Sequence, residues 1–196
     1  MATAVLALQG AFIEHERALA DVGEPSLELR CAADLSRPFD RLVLPGGEST
    51  VQGKLLREEG MLAPLRERIE AGMPVLATCA GLILLARAIA GDGSRESEPR
   101  AAQTGPWIGT LDVTVKRNAY GRQLGSFHTT APVDGIPNVP MTFIRAPFVA
   151  NVGPAAQAIA TVDGHVVAVR QGAQIGLAFH PELDGDRRIH ERFVRL

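Results

Sequence analysis

The stretch P-V-L-A-T-C-A-G-L-I-L-L-A-R-A-I-A, residues 74–90, decides the fold. Its first five residues form a short apolar run of the kind that makes a buried strand, and residues 80–90 predict a strongly apolar helix. Cys79 lies at the junction, among the small residues Ala77, Ala80 and Gly81. A strand followed by a sharp turn and a helix is typical of α/β proteins that expose a reactive side chain at the top of their sheet.

Outward from this stretch, short apolar runs alternate with helical patterns, which indicates an α/β architecture. Further helices are predicted over residues 10–22, over residues 49–71 with a break near Gly60, and over residues 186–196. The predicted strands are residues 3–9, 26–31, 41–44, 74–78, 110–115, 124–130, 141–144, 158–162, 166–170 and 175–179. Residues 162–165, V-D-G-H, have the composition of a tight hairpin. Residues 91–104 are polar and predict a surface loop.

Composition narrows the class of protein. A length of 196 residues suits a single domain over residues 1–196. The composition, with 46% hydrophobic and 21% charged residues, is ordinary for a globular protein. The formal charge of −2 gives no basic field that would attract nucleic acid or an anionic membrane. We therefore expect neither as a partner.

Cysteine usage and the N-terminal sequence bear on the compartment. Only Cys31 and Cys79 occur, so a disulfide framework is not expected and a reducing compartment fits better. The apolar run at residues 2–8 is too short for the core of a signal peptide, and no basic segment precedes it. We expect a cytoplasmic protein.

Cys79 and the segment F-H-P-E, residues 179–182, supply the parts of a nucleophilic site. A catalytic thiol needs a base, and the base needs an acceptor that orients it. Pro181 favours an extended His180, which would place His180 and Glu182 on the same side of the chain. Alone, Cys79 is better explained as a small buried hydrophobe, and the histidine as part of a turn; the two segments together favour catalysis.

The segment L-P-G-G-E-S-T, residues 44–50, follows a predicted strand. Gly46 and Gly47 permit close approach of the backbone to a ligand and can turn an amide toward a substrate carbonyl. Glu48 is a candidate partner for an α-amino group, and Ser49 for the cap of the next helix. The segment lacks the glycine spacing and the lysine of a phosphate-binding P-loop, so that interpretation is weak.

Together these elements resemble the class I (triad) glutamine amidotransferases, and further strings resemble one family within them, the glutaminase subunits of pyridoxal 5′-phosphate synthase. The resemblance extends over most of the chain. The strings are L-Q-G-A-F-I-E-H (residues 8–15), L-P-G-G-E-S-T (44–50), T-C-A-G-L (78–82), R-N-A-Y-G-R-Q (117–123), F-I-R-A-P (143–147) and F-H-P-E-L (179–183). The resemblance implies a three-layer, flavodoxin-like fold with a mixed central sheet. One departure is Ala77, where the family usually has glycine.

The resemblance also assigns roles to residues. Cys79 matches the nucleophile, His180 the general base and acid, and Glu182 the carboxylate that orients the histidine. The remaining matches are Gly47 and Ala80 for the oxyanion hole, and Gly46, Gly47, Glu48, Ser49, Arg117, Ile144 and Arg145 for glutamine binding. Arginine suits such a position, because its planar guanidinium matches a substrate α-carboxylate. A lone Arg117 or Arg145 would be better explained as a surface ion pair.

The implied activity is hydrolysis of L-glutamine to L-glutamate and ammonia, with no cofactor and no metal. The ammonia would pass to a pyridoxal 5′-phosphate synthase subunit that consumes ribose 5-phosphate and glyceraldehyde 3-phosphate, in a hetero-oligomeric complex. Two alternatives stay open: a glutaminase of another amidotransferase, such as imidazole glycerol phosphate synthase, or a domain that binds a partner without catalysis.

Several residues are left without a definite role. Glu14, His15 and Glu16 are expected on a helix face that contacts solvent or a partner, and Cys31 in the core. His128, His165 and His190 have no metal-ligand spacing and are expected to be surface or internally satisfied histidines. Gln9 is expected to be a simple strand-end amide rather than an oxyanion donor. Residues 94–107 have no assigned role.

Overall fold

The structure, a computed structural model, describes residues 2–90, 107–117 and 126–196. Five α-helices are found in these ranges: α1 Phe12–Asp21, α2 Ser49–Glu58, α3 Leu62–Glu70, α4 Ala80–Leu85 and α5 Arg188–Phe193. Short 3₁₀ helices lie at Ala32–Ser36 and Pro181–Leu183. The strands are β1 Thr3–Leu6, β2 Ser26–Leu29, β3 Arg41–Leu44, β4 Val75–Thr78, β5 Ala86–Ala90, β6 Leu111–Lys116, β7 Ser126–Val133, β8 Ile136–Ile144, β9 Phe148–Val152, β10 Gln157–Val162, β11 His165–Gln171 and β12 Gln174–Leu177.

A mixed sheet organises the fold, in the order β2-β1-β3-β4-β12-β11-β9-β6-β5, with β10 paired to β11. The first five strands of this order are parallel, and β11 is antiparallel to β12, β9 and β10. All residues of β1, β4 and β12 are buried, as expected for parallel strands covered on both faces. The prediction of a mixed sheet with flanking helices is confirmed. The predicted turn at residues 162–165 is also confirmed, since Val162 pairs with His165.

The helix predicted over residues 80–90 is wrong in its second half. It ends at Leu85, and Ala86–Ala90 continues as β5, parallel to β6 at the end of the described sheet. All six residues of α4 are buried, so apolar side chains surround the helix and carry no periodic signal of where it stops. The pairing of β5 with β6 depends on residues far along the chain, which local pattern does not reveal.

Other differences concern strand ends. β8 begins at Ile136, earlier than the predicted residue 141, because its two prolines (Pro137 and Pro140) are tolerated in a strand that pairs with β7 alone. β7 reaches Val133, and β9 was not predicted. Residues 124–125 of the predicted strand and the polar residues 91–104 lie outside the described residues.

The second sheet, β7 with β8, packs through aromatic contacts. Phe127 stacks on Phe143 with ring centroids 4.4 Å apart, and Phe143 contacts Phe179, which directly precedes the F-H-P-E histidine. The backbone N–H of His180 also donates to the carbonyl of Thr142, at 2.9 Å. These contacts fix the end of β12 against the small sheet. Among the described residues, none of the helices has both the length and the apolar character needed to cross a bilayer.

Candidate active site

The carboxyl ends of β1, β3, β4 and β12 meet at one edge of the sheet, where α/β folds commonly bind ligands. A pocket of about 430 Å³ opens there. It is lined by Gln9, Gly10, Ala11, Gly46, Gly47, Glu48, Ser49, Cys79, Ala80, Ile83, Arg117, Ile144, Arg145, Pro147, His180 and Leu183. The structure thus brings together every predicted site residue except Glu182, which lies behind His180. The roles of these residues stay predictions.

Cys79 occupies a sharp turn between β4 and α4, with φ 48° and ψ −99°. Positive φ is strained for a residue with a side chain, and such strain concentrates at functional positions. Cys79 N–H donates to the Leu177 carbonyl at 2.8 Å, which anchors the turn to β12. Gly81 is required because a Cβ there would lie 2.1 Å from the carbonyl oxygen of Leu44. The turn forms with Ala77 in place of the expected glycine.

The imidazole of His180 joins Cys79 to Glu182. Its Nδ1 donates to Glu182 Oε1 at 2.7 Å, and the ring is also hydrogen-bonded to the Cys79 side chain. His180 has φ −113° and ψ 84°, outside the extended region, and residues 181–183 form a 3₁₀ turn. The expectation that His180 and Glu182 lie in an extended segment is therefore wrong, although the two side chains do meet.

The electrostatics of this trio keep opposite charges side by side. Burial alone would lower the pKa of His180, but hydrogen bonds to Cys79 and Glu182, with the charge of Glu182, raise it to about 10. Burial likewise opposes the ionisation of Glu182, yet nearby His15 and the hydrogen bond from His180 hold the pKa of that carboxyl below its usual value. The imidazole therefore carries a proton next to the thiol at neutral pH.

Two glutamines hold the loop after β3. Glu48 N–H donates to Gln9 Oε1 at 2.8 Å, and Gln52 Nε2 donates to the carbonyls of Gln9 and Pro45. The Gly46 carbonyl accepts from Ala11 N–H at 3.0 Å. Gln9 is therefore more than a strand-end amide. The buried Gln52 was missed, although it lies at helical spacing with the other buried residues of α2.

Glycine is needed at both loop positions because the neighbours are close. A Cβ on Gly46 would lie 2.2 Å from His180 Cε1, and a Cβ on Gly47 would lie 2.5 Å from Gln9 Oε1. Both contacts are shorter than real Cβ atoms tolerate. The backbone of this loop therefore approaches the imidazole and the pocket as only glycine allows.

Glu48, not Ser49, caps α2, which corrects the predicted cap. The Glu48 carboxylate accepts from Thr50 N–H at 3.1 Å and from Val51 N–H at 2.7 Å. Partial burial alone would raise the pKa of Glu48, but these hydrogen bonds and the nearby charge of Arg117 lower it below its usual value. Arg117 Nη2 donates to the side chains of Glu48, Ser49 and Thr50 at 2.8–3.1 Å. Arg145 lies at the pocket with φ 45°.

The expectation for His15 was wrong, and the expectation for His190 was incomplete. His15 is fully buried rather than on a solvent or partner face, and its Nε2 lies 3.4 Å from Glu182 Oε2. His190 is also fully buried and lies 3.2 Å from His15. The signal for His15 was its helical spacing with Ala18 and Leu19, which form the buried face of α1. Trp107, at the end of the polar stretch, is buried as well.

The described residues contain no group of three or more His, Cys, Asp or Glu side chains placed to hold a metal ion. The groups that meet at the pocket are a thiol, a protonated imidazole and, behind it, a buried carboxylate, with backbone amides around them. This set suits attack on a carbonyl carbon followed by proton transfer to the leaving group.

Known proteins resemble the chain over nearly its whole length. The SNO glutamine amidotransferase family matches over residues 5–196. The pyridoxal 5′-phosphate synthase subunit PdxT of Desulfitobacterium hafniense is 56% identical over 194 residues, which cover 99% of this chain and 92% of the relative. The subunit of the same name from Methanocorpusculum labreanum is 51% identical, covering 100% and 97%.

Solved structures agree with these matches. A crystal structure of a glutamine amidotransferase has a TM-score of 0.89 and 39% identity, and the match covers 100% of this chain and 98% of that one. A glutamine amidotransferase from Thermotoga maritima, at 17% identity and a TM-score of 0.60, covering 92% and 75%, shares the fold. By sequence over nearly its whole length and by fold, the chain belongs to the SNO glutamine amidotransferase family.

Proposed function

We propose that the chain is a glutaminase that hydrolyses L-glutamine to L-glutamate and ammonia and supplies the ammonia to a pyridoxal 5′-phosphate synthase subunit. The observation that carries the proposal is the hydrogen-bonded series Cys79–His180–Glu182, with its thiol end at the pocket. Family membership supports the reaction, and relatives named as synthase subunits support the partner.

Glutamine binds through its charged α-carbon groups. Glu48 takes the α-amino group and Arg117 and Arg145 take the α-carboxylate, and Ser49 and Ile144 also line the pocket. The side-chain amide then extends toward Cys79. Two opposite charges at a fixed separation select an α-amino acid, and the distance from them to the thiol selects the length of its side chain.

The proposed reaction has two stages, both on Cys79. Cys79 has given its proton to His180, so it attacks the amide carbon as a thiolate, and the backbone amides of Gly47 and Ala80 stabilise the oxyanion of the tetrahedral intermediate. His180 donates its proton to the departing nitrogen, which leaves as ammonia, and a γ-glutamyl thioester remains on Cys79. His180, now neutral, takes a proton from water as the water attacks the thioester; glutamate is released and the thiolate is regenerated. Glu182 keeps the imidazole oriented throughout.

The main test is a glutaminase assay with and without the purified synthase. We expect ammonia and glutamate to be released in equal amounts. When the synthase and its sugar phosphates are present, we expect the ammonia to be consumed. A pull-down against the synthase subunit of imidazole glycerol phosphate synthase tests the other amidotransferase. A folded chain without hydrolysis in either complex would leave only the non-catalytic alternative.

A further inference from the structure

Two buried histidines lie behind the Glu182 carboxylate, on the side away from the pocket. His15, from α1, has its Nε2 3.4 Å from Glu182 Oε2 and 3.1 Å from Thr78 Oγ1. Its Nδ1 lies 3.2 Å from Nε2 of His190, from α5. Neither histidine lines the pocket, so neither touches a ligand bound there. A row of side chains therefore runs from His190 through His15 to the carboxylate that orients His180.

The protons in this row can be counted. Burial lowers the pKa of His15 and lowers that of His190 to about 3, so at neutral pH each ring is neutral and carries one N–H. Besides Glu182 and His180, the charges of Glu14 and Arg187 act on these pKa values: Glu14 raises that of His15, and Arg187 lowers that of His190. The one hydrogen bond described between the two rings therefore has one ring as donor and the other as acceptor.

Only one assignment satisfies the carboxylate. If His15 carries its proton on Nε2, that N–H donates to Thr78 Oγ1 at 3.1 Å and also lies toward Glu182 Oε2, 3.4 Å away, an oxygen that accepts no hydrogen bond from the described residues. His15 Nδ1 is then an acceptor, so His190 donates from Nε2. His190 Nδ1, for which the described residues offer no partner, is left as a bare nitrogen rather than a buried N–H.

The opposite assignment is costly at both ends. With its proton on Nδ1, His15 could accept from the Thr78 hydroxyl at Nε2, but it would bring a lone pair and no donor to the Glu182 carboxylate at 3.4 Å, inside a fully buried site. His190 would then accept at Nε2 and carry an orphaned, buried Nδ1–H. A buried donor without an acceptor and two facing lone pairs are each unfavourable. The first assignment is therefore the one the structure supports.

We propose that His15 and His190 are positioning residues that donate, one to the next, toward Glu182 and hold its carboxylate in the orientation that His180 requires. The proposal rests on the proposed function for its kinetic consequence but not for its proton arrangement. It makes the orienting group of the site a three-residue unit drawn from α1, α5 and the turn after β12, rather than a single carboxylate.

The first test needs no activity. Protein labelled with ¹⁵N-histidine is examined by NMR across pH 6–8, with His15→Gln and His190→Gln used to assign the two rings. Both rings are expected to be neutral with the proton on Nε2. A proton on Nδ1 of His15 overturns the proposal, whether or not the chain hydrolyses glutamine.

The second test uses a matched pair of variants in the complex with the synthase. A glutamine side chain can place its amide N–H near the position of Nε2, whereas an asparagine side chain reaches only as far as Nδ1. His15→Asn is expected to lose kcat by about 10- to 100-fold with little change in KM, as for a lost hydrogen bond to a charged group. His15→Gln is expected to recover most of kcat.

The pH profile separates positioning from simple packing. Without the donor from His15, the pKa of Glu182 rises, so the acid limb of kcat/KM moves to higher pH in His15→Asn and returns in His15→Gln. The proposal is overturned if folded His15→Asn keeps the wild-type kcat and the wild-type acid limb of kcat/KM. It is also overturned if His15→Asn and His15→Gln lose kcat equally. If His15→Asn does not fold, the NMR result on the unsubstituted protein decides. An active Cys79→Ala would instead refute the proposed function and leave the NMR result standing.

Discussion

The Nη2 of Arg117 lies 3.1 Å from Oε1 of Glu48, so the two residues predicted to hold opposite ends of an amino acid are paired with each other at the pocket. A zwitterionic amino acid carries the complementary pair of charges. It can enter between the two side chains, so that the ion pair of Arg117 with Glu48 is replaced by two ion pairs with the ligand. Because Arg117 also donates to Ser49 and Thr50, its guanidinium is already fixed in place before a substrate arrives.

Substitution of either arginine at the pocket therefore acts on binding. Arg117→Ala and Arg145→Ala are expected to raise KM for glutamine by about 10- to 150-fold, the value of a lost charge-assisted hydrogen bond, with a smaller effect on kcat. Steady-state kinetics in the complex with the synthase measures this. Arg87→Ala, which removes an arginine that does not line the pocket, is the control. A wild-type KM in both pocket variants would mean that these arginines are structural.

Removal of the thiol tests the proposed mechanism. Cys79→Ala is expected to lower ammonia release by roughly 10⁴-fold or more, as for other triad nucleophiles, while Glu182→Gln costs less because Glu182 makes no bond to substrate. Cys31→Ala, at the other cysteine, is the control. A glutamine-like diazo-ketone should label Cys79 and spare Cys31, as read by peptide mass. Near-normal turnover in folded Cys79→Ala would refute the mechanism.

Acid stability follows from the buried histidines. The folded pKa of His190 is lowered to about 3, so below its ordinary value of 6.5 the unfolded chain binds a proton that the folded chain excludes, and stability falls with falling pH. His180, raised to about 10, is protonated in both states below 6.5; its contribution is fully present there and is lost only as pH rises toward 10. Glu182, with a lowered pKa, adds acid sensitivity only below its ordinary value of 4.5.

The corresponding variant is His190→Gln, which removes the titrating ring. Its free energy of unfolding is expected to depend less steeply on pH between 4 and 6, by about 1 kcal/mol per pH unit. Urea titrations at pH 4, 5 and 6 measure the slope for both proteins. Parallel slopes would show that His190 binds its proton equally in the folded and unfolded states.

Gly10 controls the position of the Gly46 carbonyl. A Cβ at residue 10 would lie 1.9 Å from that oxygen, so Gly10→Ala must displace the peptide whose amide belongs to Gly47. We expect kcat to fall by about 10²- to 10³-fold, the effect of losing one oxyanion donor. Gly23→Ala is the matched control, because Gly23 also has positive φ but its Cβ would meet nothing within 4 Å. Equal kinetics in the two variants would argue against an oxyanion role for this peptide.

Activation by the partner is expected at the same peptide. Residues 46 and 47 lack side chains, so the peptide between them rotates cheaply, and one orientation turns a carbonyl rather than an amide toward the substrate. We expect the isolated chain to hydrolyse glutamine slowly and the synthase to raise the rate by about 10²- to 10³-fold, by selecting the donating orientation. Hydrolysis at saturating glutamine, with and without synthase, measures it. Equal rates would remove this gating while leaving the glutaminase assignment intact.

Local signals explain what the sequence predicted well. The turn at Cys79 was predictable because a buried strand, small residues and an apolar helix follow one another directly. β5 and β9 were not, because each is stabilised by pairing with β6, which lies elsewhere in the chain. Glu48 rather than Ser49 caps α2 because its longer side chain reaches two backbone amides. Capping propensity alone does not predict this.

The same limit applies to the site. Cys79, His180 and Glu182 could be proposed together because reactive side chains in short motifs are conspicuous, and the structure brings the three side chains together. His15 and Gln52 were not, because a polar residue on a buried helix face is recognisable only through its spacing, and its partner lies on another element. Residues 118–123 of the R-N-A-Y-G-R-Q string lie outside the described residues.

β4 and β12 are neighbours in the sheet, although Cys79 and His180 at their ends are about a hundred positions apart in the chain. A ribosome that adds 5–20 residues per second therefore exposes the cysteine roughly 5–20 s before it makes the histidine. During that interval β4 has no β12 beside it, and the thiol has neither its base nor the Leu177 carbonyl that anchors its backbone. The reactivity proposed for Cys79 thus requires the sheet to close, and we expect a nascent or truncated chain that stops before β12 to carry an ordinary cysteine.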